Sequence, residues 1–279
     1  MKFGPVPLDQ ALGAISAHSI RLADRTIKKG ARLTDDDLAA LRKEGHKQAI
    51  VAQLDADDIN EDEAAEHLAR TLCGASIRMD QPSTGRVNLF ANAPGVLRVE
   101  AARVQAFNSI DESVTFATLP DYRAVERGEM VATVKIIPFA VSKSVMDQAL
   151  SVIAHAPLVS VHPFIKRKVA AISTVLPGLK PSVINKTLAV LEGRLAPSGA
   201  TVDTDLRVAH DAEALSHAIQ TTLDDGADLV IIYGASAITD RRDIIPSAIE
   251  KAGGVIEHFG MPVDPVSYTH LRAHETLRY

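Results

Sequence analysis

The 279-residue sequence predicts an α/β protein in which a parallel sheet layered by helices follows an α+β region of short strands. Three observations carry this reading. From Lys168 onward, strand-like and helix-like segments alternate, as in βαβ units. Leu229, Val230, Ile231 and Ile232 form an unbroken apolar run, which suits a strand buried on both faces of such a sheet. Earlier in the chain the strands are short and separated by turns such as Pro82 and Pro94-Gly95. One core serves roughly 100 to 200 residues, so the chain is read as an accessory region at 1–157, an α/β domain at 158–265 and a tail at 266–279.

Leu8, Ala11, Leu12 and Ile15 stand at helical spacing, so a short helix is expected over residues 7–18. Residues 19–22 and 26–33 read as short strands. Thr34 is placed to cap a helix whose first turn carries Asp35, Asp36 and Asp37, where negative charge is favoured. Gly45 stops that helix, and a strand follows at 49–52. Asn60, with Glu63 three residues later, resembles a capping box and starts a helix through Leu72. Strands are expected at 76–79, 85–92 and 96–99, a helix at 101–109, strands at 113–119 and 130–139, and a linking helix at 144–154.

The second half then reads as a strand at 168–174, a helix at 182–195, a strand at 201–208 and a helix at 211–223 capped by Asp211. The apolar run at 229–232 is expected to be the central strand. A helix follows at 246–252 with Pro246 in its first turn and Gly253-Gly254 as its stop. A last strand is expected at 255–259.

Composition excludes several functions. Hydrophobic residues at 46% and charged residues at 23% are ordinary for a globular protein. Aromatic content of 4% with no Trp leaves little to stack bases on, and a net charge of −5 argues against nucleic-acid or anionic-membrane surfaces. The single cysteine, Cys73, excludes an internal disulfide and a Cys-rich metal site, and its apolar helical setting makes it a core residue. No run approaches a membrane span, because Lys135 and Pro138 interrupt the best candidate, and residues 1–5 lack the apolar core of a signal peptide. A cytoplasmic protein is expected.

Few side chains outside the second half draw chemical interest. Ser83 to Asn88 is a polar turn and Lys135 sits inside an apolar strand. Both can contact a ligand across a cleft, although a surface turn and an outward-reaching lysine are the preferred reading. His155 and His162 have no partner at ligand spacing and are read as linker residues.

The stretch around which the chain is organised begins where the apolar run ends, at Tyr233-Gly234. Small residues (Ala235, Ser236, Ala237) let a ligand approach the backbone, and Thr239, Asp240, Arg241, Arg242 and Asp243 lead into Ile244-Ile245-Pro246. An open α/β sheet binds its ligand at such a strand end. This loop resembles the signature loop of the molybdopterin-binding domain of molybdenum cofactor biosynthesis proteins, the family that includes gephyrin. Gly234, Ser236, Arg242-Asp243 and Pro246 match, while Tyr233 stands where the first glycine is expected. The resemblance spans roughly 166–265. Ser173-Thr174 matches the family's Ser-Thr-Gly with Val175 in place of the glycine, and Gly260-Met-Pro-Val-Asp-Pro265 matches a pocket-lining segment that includes Asp264. In the accessory region, Lys29-Gly-Ala-Arg-Leu-Thr-Asp-Asp-Asp-Leu38 and its continuation to Gly45 resemble a β-rich segment of the molybdenum-inserting members.

The resemblance implies a three-layer molybdopterin-binding domain and a pterin ligand bearing a terminal phosphate. Lys180 and Ser182, at a turn before a helix, supply a cation and a hydroxyl for phosphate, or else form a plain capped turn. Asp240 or Asp243 can read the pterin edge. Asp243 is the first choice for a catalytic acid, with Ser173, Thr174, Gly234, Ser236, Arg242 and Asp264 as further pocket residues. No metal-ligand cluster is expected of the chain itself. Longer relatives carry a C-terminal nucleotidyltransferase domain, which implies a substrate-binding part of a cofactor-modifying protein. Two alternatives remain: a molybdenumtransferase or adenylyltransferase enzyme using magnesium and a nucleotide, and a generic nucleotide- or sugar-binding α/β domain. Family members oligomerise, so a homo-oligomer is compatible. Residues 266–279 break the family pattern and are read as foreign to the fold, which also sets aside His270 and His274 as a metal pair.

Overall fold

In the computed structural model, which describes residues 1–260, the chain opens on a strand rather than on the expected helix. β1 (Lys2–Pro7) leads through a single 3-10 turn at Leu8–Gln10 to β2 (Ile15–Ser16), β3 (Ile20–Arg21) and β4 (Thr26–Ile27). The spacing of Leu8, Ala11 and Ile15 reflects burial, with each 3% exposed or less, and not a helix. Gly13 turns the chain at φ +74°, and its N–H donates to Leu33 O at 2.8 Å. α1 (Asp35–Lys43) starts as read: the Asp37 N–H donates to Thr34 Oγ1 at 3.2 Å and the Thr34 N–H to Asp37 Oδ2 at 3.1 Å, a reciprocal cap. β5 (Gln48–Gln53) pairs antiparallel with β1 and β2. Leu8, Leu22, Ile27, Leu33, Leu38, Leu41 and Val51 close a small core of their own.

The chain forms two compact units, Met1–Phe164 and a second beginning at Ile165. The rest of the first unit runs β6 (Asp58–Asn60), α2 (Glu61–Leu72), β7 (Ile77–Met79), β8 (Arg86–Ala91), β9 (Gly95–Val99), α3 (Ala101–Asn108), β10 (Val114–Thr118), β11 (Ala124–Val125), β12 (Met130–Ile136), β13 (Ala140–Ser142), α4 (Lys143–Ile153) and β14 (Val159–Pro163). β10, β12, β8 and β7 form an antiparallel sheet in that order, and β11, β9 and β14 another. α2 lays Ala64, Ala65, Leu68 and Leu72 against Val87, Leu89 and Val134 of the first sheet, all fully buried. Such a stripe supplies most of a helix's stability. Cys73 packs at the edge of this core, and burial pushes its thiol up to about 11.

The second unit is built on β15 (Lys168–Val175), α5 (Pro181–Leu195), β16 (Thr201–Ala209), α6 (Ala212–Asp224), β17 (Leu229–Tyr233) and α7 (Ile244–Lys251). The three strands are parallel, in the order β16, β15, β17. The whole is a mixed α/β fold. Among the described residues the expected central strand is therefore an edge strand: β15 is buried from Val169 to Thr174, whereas β17 is half-buried and Leu229 is 42% exposed. An apolar run marks contact with covering helices, and it does not tell a central strand from an edge one. Ile172 belongs to one buried cluster with Leu215, Ala218 and Ile219 of α6 and Ile245 and Ala248 of α7. Residues 255–259 form no strand, because they join no ladder and Val255 is 81% exposed. Among the described residues no helix is long and apolar enough to cross a membrane. The expectations about Asp264, His270, His274 and the tail at 266–279 fall outside the described residues.

Candidate functional site

Parallel strands bring all their carboxyl ends to one side, and there the loops of the second unit converge. β15 ends in Ser173, Thr174 and Val175, His210 directly follows β16, and Gly234 directly follows β17. Thr174 is 1% exposed, and its hydroxyl oxygen accepts the Ala235 N–H at 2.8 Å. The same oxygen lies 2.8 Å from His210 Nδ1 and 3.5 Å from Tyr233 O. Having one proton to give, this hydroxyl serves the imidazole at the shorter distance when Nδ1 is the acceptor. His210 Nε2 lies 3.0 Å from Ser236 Oγ, and the His210 backbone N–H donates to Val175 O at 3.0 Å. A polar chain of Ala235, Thr174, His210 and Ser236 thus ties three strand ends together.

Ser173 is the counterpart on the neighbouring side. It is 2% exposed, and its hydroxyl has no hydrogen-bond partner among the described residues. It lines a cavity of about 210 Å³ with Thr174, Tyr233, Gly234 and Ala235, closed on the α5 side by Leu179, Val183, Ile184 and Thr187. Leaving a buried hydroxyl unpaired costs about 1–3 kcal/mol. Ser173 is thus a buried polar residue in the wall of that cavity. Gly234 is required by space: a Cβ there would stand 2.8 Å from both Ile245 Cδ1 and the Ser236 carbonyl oxygen. The glycine lets the loop fold back over α7.

The acids of the loop are engaged locally. Asp243 caps α7, with Oδ1 accepting the Ile244 N–H at 2.8 Å and Oδ2 the Thr239 N–H at 3.1 Å. The Thr239 and then the Ile244 amide hold its carboxyl below the usual range, helped by the Thr239 hydroxyl and nearby His210. Asp240 pairs with Arg242 at 2.7 Å on the surface, and this hydrogen bond lowers its carboxyl likewise. Arg242 is exposed, and Arg241 lies over the Phe259 ring, 5.8 Å from its centroid. Lys180 precedes Pro181 without making a side-chain cap, and Ser182 sits exposed in the first turn of α5. Neither is among the residues that line the cavity.

Ser173, Thr174 and Gly234 therefore share one cavity, and Ser236 reaches it through His210. Lys180, Ser182, Asp240 and Arg242 lie outside its walls. His210 is the residue that sequence reasoning missed. Its signal was position: the first residue beyond a parallel strand, immediately before the helix cap Asp211. Among the described residues no three His, Cys, Asp or Glu side chains gather to hold a metal ion.

Comparison with known proteins adds little beyond the first strands. A family model described as a domain of unknown function (DUF8806) matches residues 5–53. That span coincides with the small core closed by Leu8 to Val51. No curated protein matches the chain. Among solved structures, NadC from Streptococcus pyogenes is 15% identical, covering 61% of this chain and 70% of its own, at a TM-score of 0.19. At that score the likeness carries no argument about fold or function.

Proposed function

We propose that the second unit binds molybdopterin in molybdenum cofactor biosynthesis, as the substrate-binding part of a cofactor-modifying protein. The observation that carries the reading is the buried Ser173 hydroxyl, without a partner among the described residues, on a residue that lines a cavity on the carboxyl side of a parallel sheet. It stands in the Ser-Thr pair of the loop pattern that resembles the molybdopterin-binding family, beside Gly234 of the second matched loop. At about 210 Å³ the cavity is smaller than the roughly 300–1,000 Å³ of whole-ligand sites, so it receives one end of the molecule. On this reading the sheet is the middle layer of a three-layer domain, the protein is cytoplasmic, and oligomers are compatible with it.

The enzyme alternative, a molybdenumtransferase or adenylyltransferase, is the second reading. It requires magnesium and a nucleotide, and the engagement of Asp243 in capping and of Asp240 with Arg242 favours the binding role. Anaerobic calorimetry with molybdopterin tests the proposal, with Ser173→Ala expected to weaken binding about tenfold for one lost hydrogen bond. Absence of binding by the unaltered protein refutes it. Turnover of ATP or CTP with magnesium and molybdopterin selects the enzyme.

A further inference from the structure

The first unit carries a second cavity, and the register of its sheet explains why it is charged. β8 and β12 pair antiparallel with Arg86 directly opposite Lys135. Residues directly opposite in a ladder project to the same face, and like charges so placed destabilise the pair. Both side chains line a cavity of about 540 Å³, together with Lys29, Ser83, Thr84, Glu61, Ile136, Ile137 and Phe139. Lys29 Nζ lies 5.7 Å from the centroid of the Phe139 ring. Among the described residues, none of the Lys29, Arg86 and Lys135 side chains forms an ion pair.

Glu61, which begins α2, is the one carboxylate in the lining, so three cations face a single acid. The cavity wall is also built with little tolerance. Thr84 adopts φ +50°, which a β-branched residue rarely occupies, and Gly85 follows at φ +71°. A Cβ on Gly85 would stand 2.6 Å from the Ile136 carbonyl oxygen and 3.0 Å from Glu61 Oε2. The Gly85 N–H donates to Asp62 Oδ1 at 2.7 Å, which anchors the turn to α2. These restraints hold the Ser83 and Thr84 hydroxyls and the Arg86 fork at one rim of the cavity.

We propose that this cavity binds a phosphorylated small molecule, with the phosphate held by Arg86, Lys135 and Lys29 and the organic body against Ile137 and Phe139. A doubly charged phosphate balances the surplus of cations, and a guanidinium fork suits its oxygens. The cavity volume lies within the roughly 300–1,000 Å³ of small-molecule sites. This inference is independent of the pterin proposal, since it uses no residue beyond Phe139.

The test is calorimetry on the full chain with inorganic pyrophosphate, adenosine 5′-monophosphate and adenosine. Pyrophosphate and the monophosphate are expected to bind and adenosine not to. Arg86→Gln and Lys135→Gln are each expected to weaken binding about tenfold or more, as loss of one charge-assisted contact implies. Lys43→Gln, at the end of α1, is expected to leave it unchanged. Equal binding by the wild type and the Arg86→Gln/Lys135→Gln double variant overturns the proposal, as does absence of binding by both phosphorylated probes. Should the variants fail to fold, reductive methylation of the wild type followed by mass spectrometry decides. Selective protection of Lys29 and Lys135 by pyrophosphate supports the site, and no selectivity among lysines overturns it.

Discussion

The hydroxyl of Thr174 lies 2.8 Å from His210 Nδ1, and the same oxygen receives the Ala235 N–H at 2.8 Å. One side chain at the end of β15 therefore positions the loops that follow both of its neighbours. Replacing it is expected to disturb two loops and one cavity together.

Thr174→Val keeps the shape and removes the hydroxyl. It removes the acceptor of the part-buried Ala235 N–H, which costs about 1 kcal/mol. The expected outcome is a lower melting temperature in calorimetry together with weaker molybdopterin binding. A variant as stable and as competent as the wild type would show that the link has no structural weight.

The order of strands in the second unit predicts an asymmetry between two isoleucines. Ile172 is 0% exposed on the inner strand, and Ile231 lies half-buried on the edge. Ile172→Ala is expected to cost about 2–5 kcal/mol as a core deletion, and Ile231→Ala distinctly less. Urea titrations of the two variants measure this directly, and equal losses would contradict the edge position.

Asp243 gives a pH-dependent prediction. Its folded carboxyl is held below the usual range by the Thr239 and Ile244 amides, so its contribution is complete above the unfolded value of about 3.9. That contribution fades as pH falls through the lower folded value. Asp243→Ala is therefore expected to melt below the wild type at pH 7, with the gap closing below about pH 4. Melting curves across that range check it, and a gap that widens in acid would reverse the assignment.

Cys73, pushed up to about 11 by burial, carries little thiolate at pH 8. Iodoacetamide is expected to label it roughly a hundredfold more slowly in the folded protein than in guanidinium, where the thiol returns to about 8.5. Comparable rates in the two states would mean that the helix end opens readily.

Local chemistry was legible where one side chain decides the backbone. Thr34, Asn60 and Asp211 each cap the helix that the sequence assigned to them. The alternation of strand and helix after Lys168 was legible for the same reason. What could not be read were relationships that pairing decides. Nothing in Leu229 to Ile232 says which neighbour it joins, and β15 holds the inner place by pairing with both β16 and β17. Leu8, Ala11 and Ile15 follow a helical spacing because each is buried, not because they share a helix. At the candidate site, Ser173, Thr174 and Gly234, singled out by their loops, line one cavity. His210 escaped because its role depends on β16 lying beside β15.

The antiparallel pairing of Lys2 with Gln53 places the two ends of the opening segment side by side. A piece whose entrance and exit are adjacent can be grafted into a host polypeptide without stretching it, as inserted domains are.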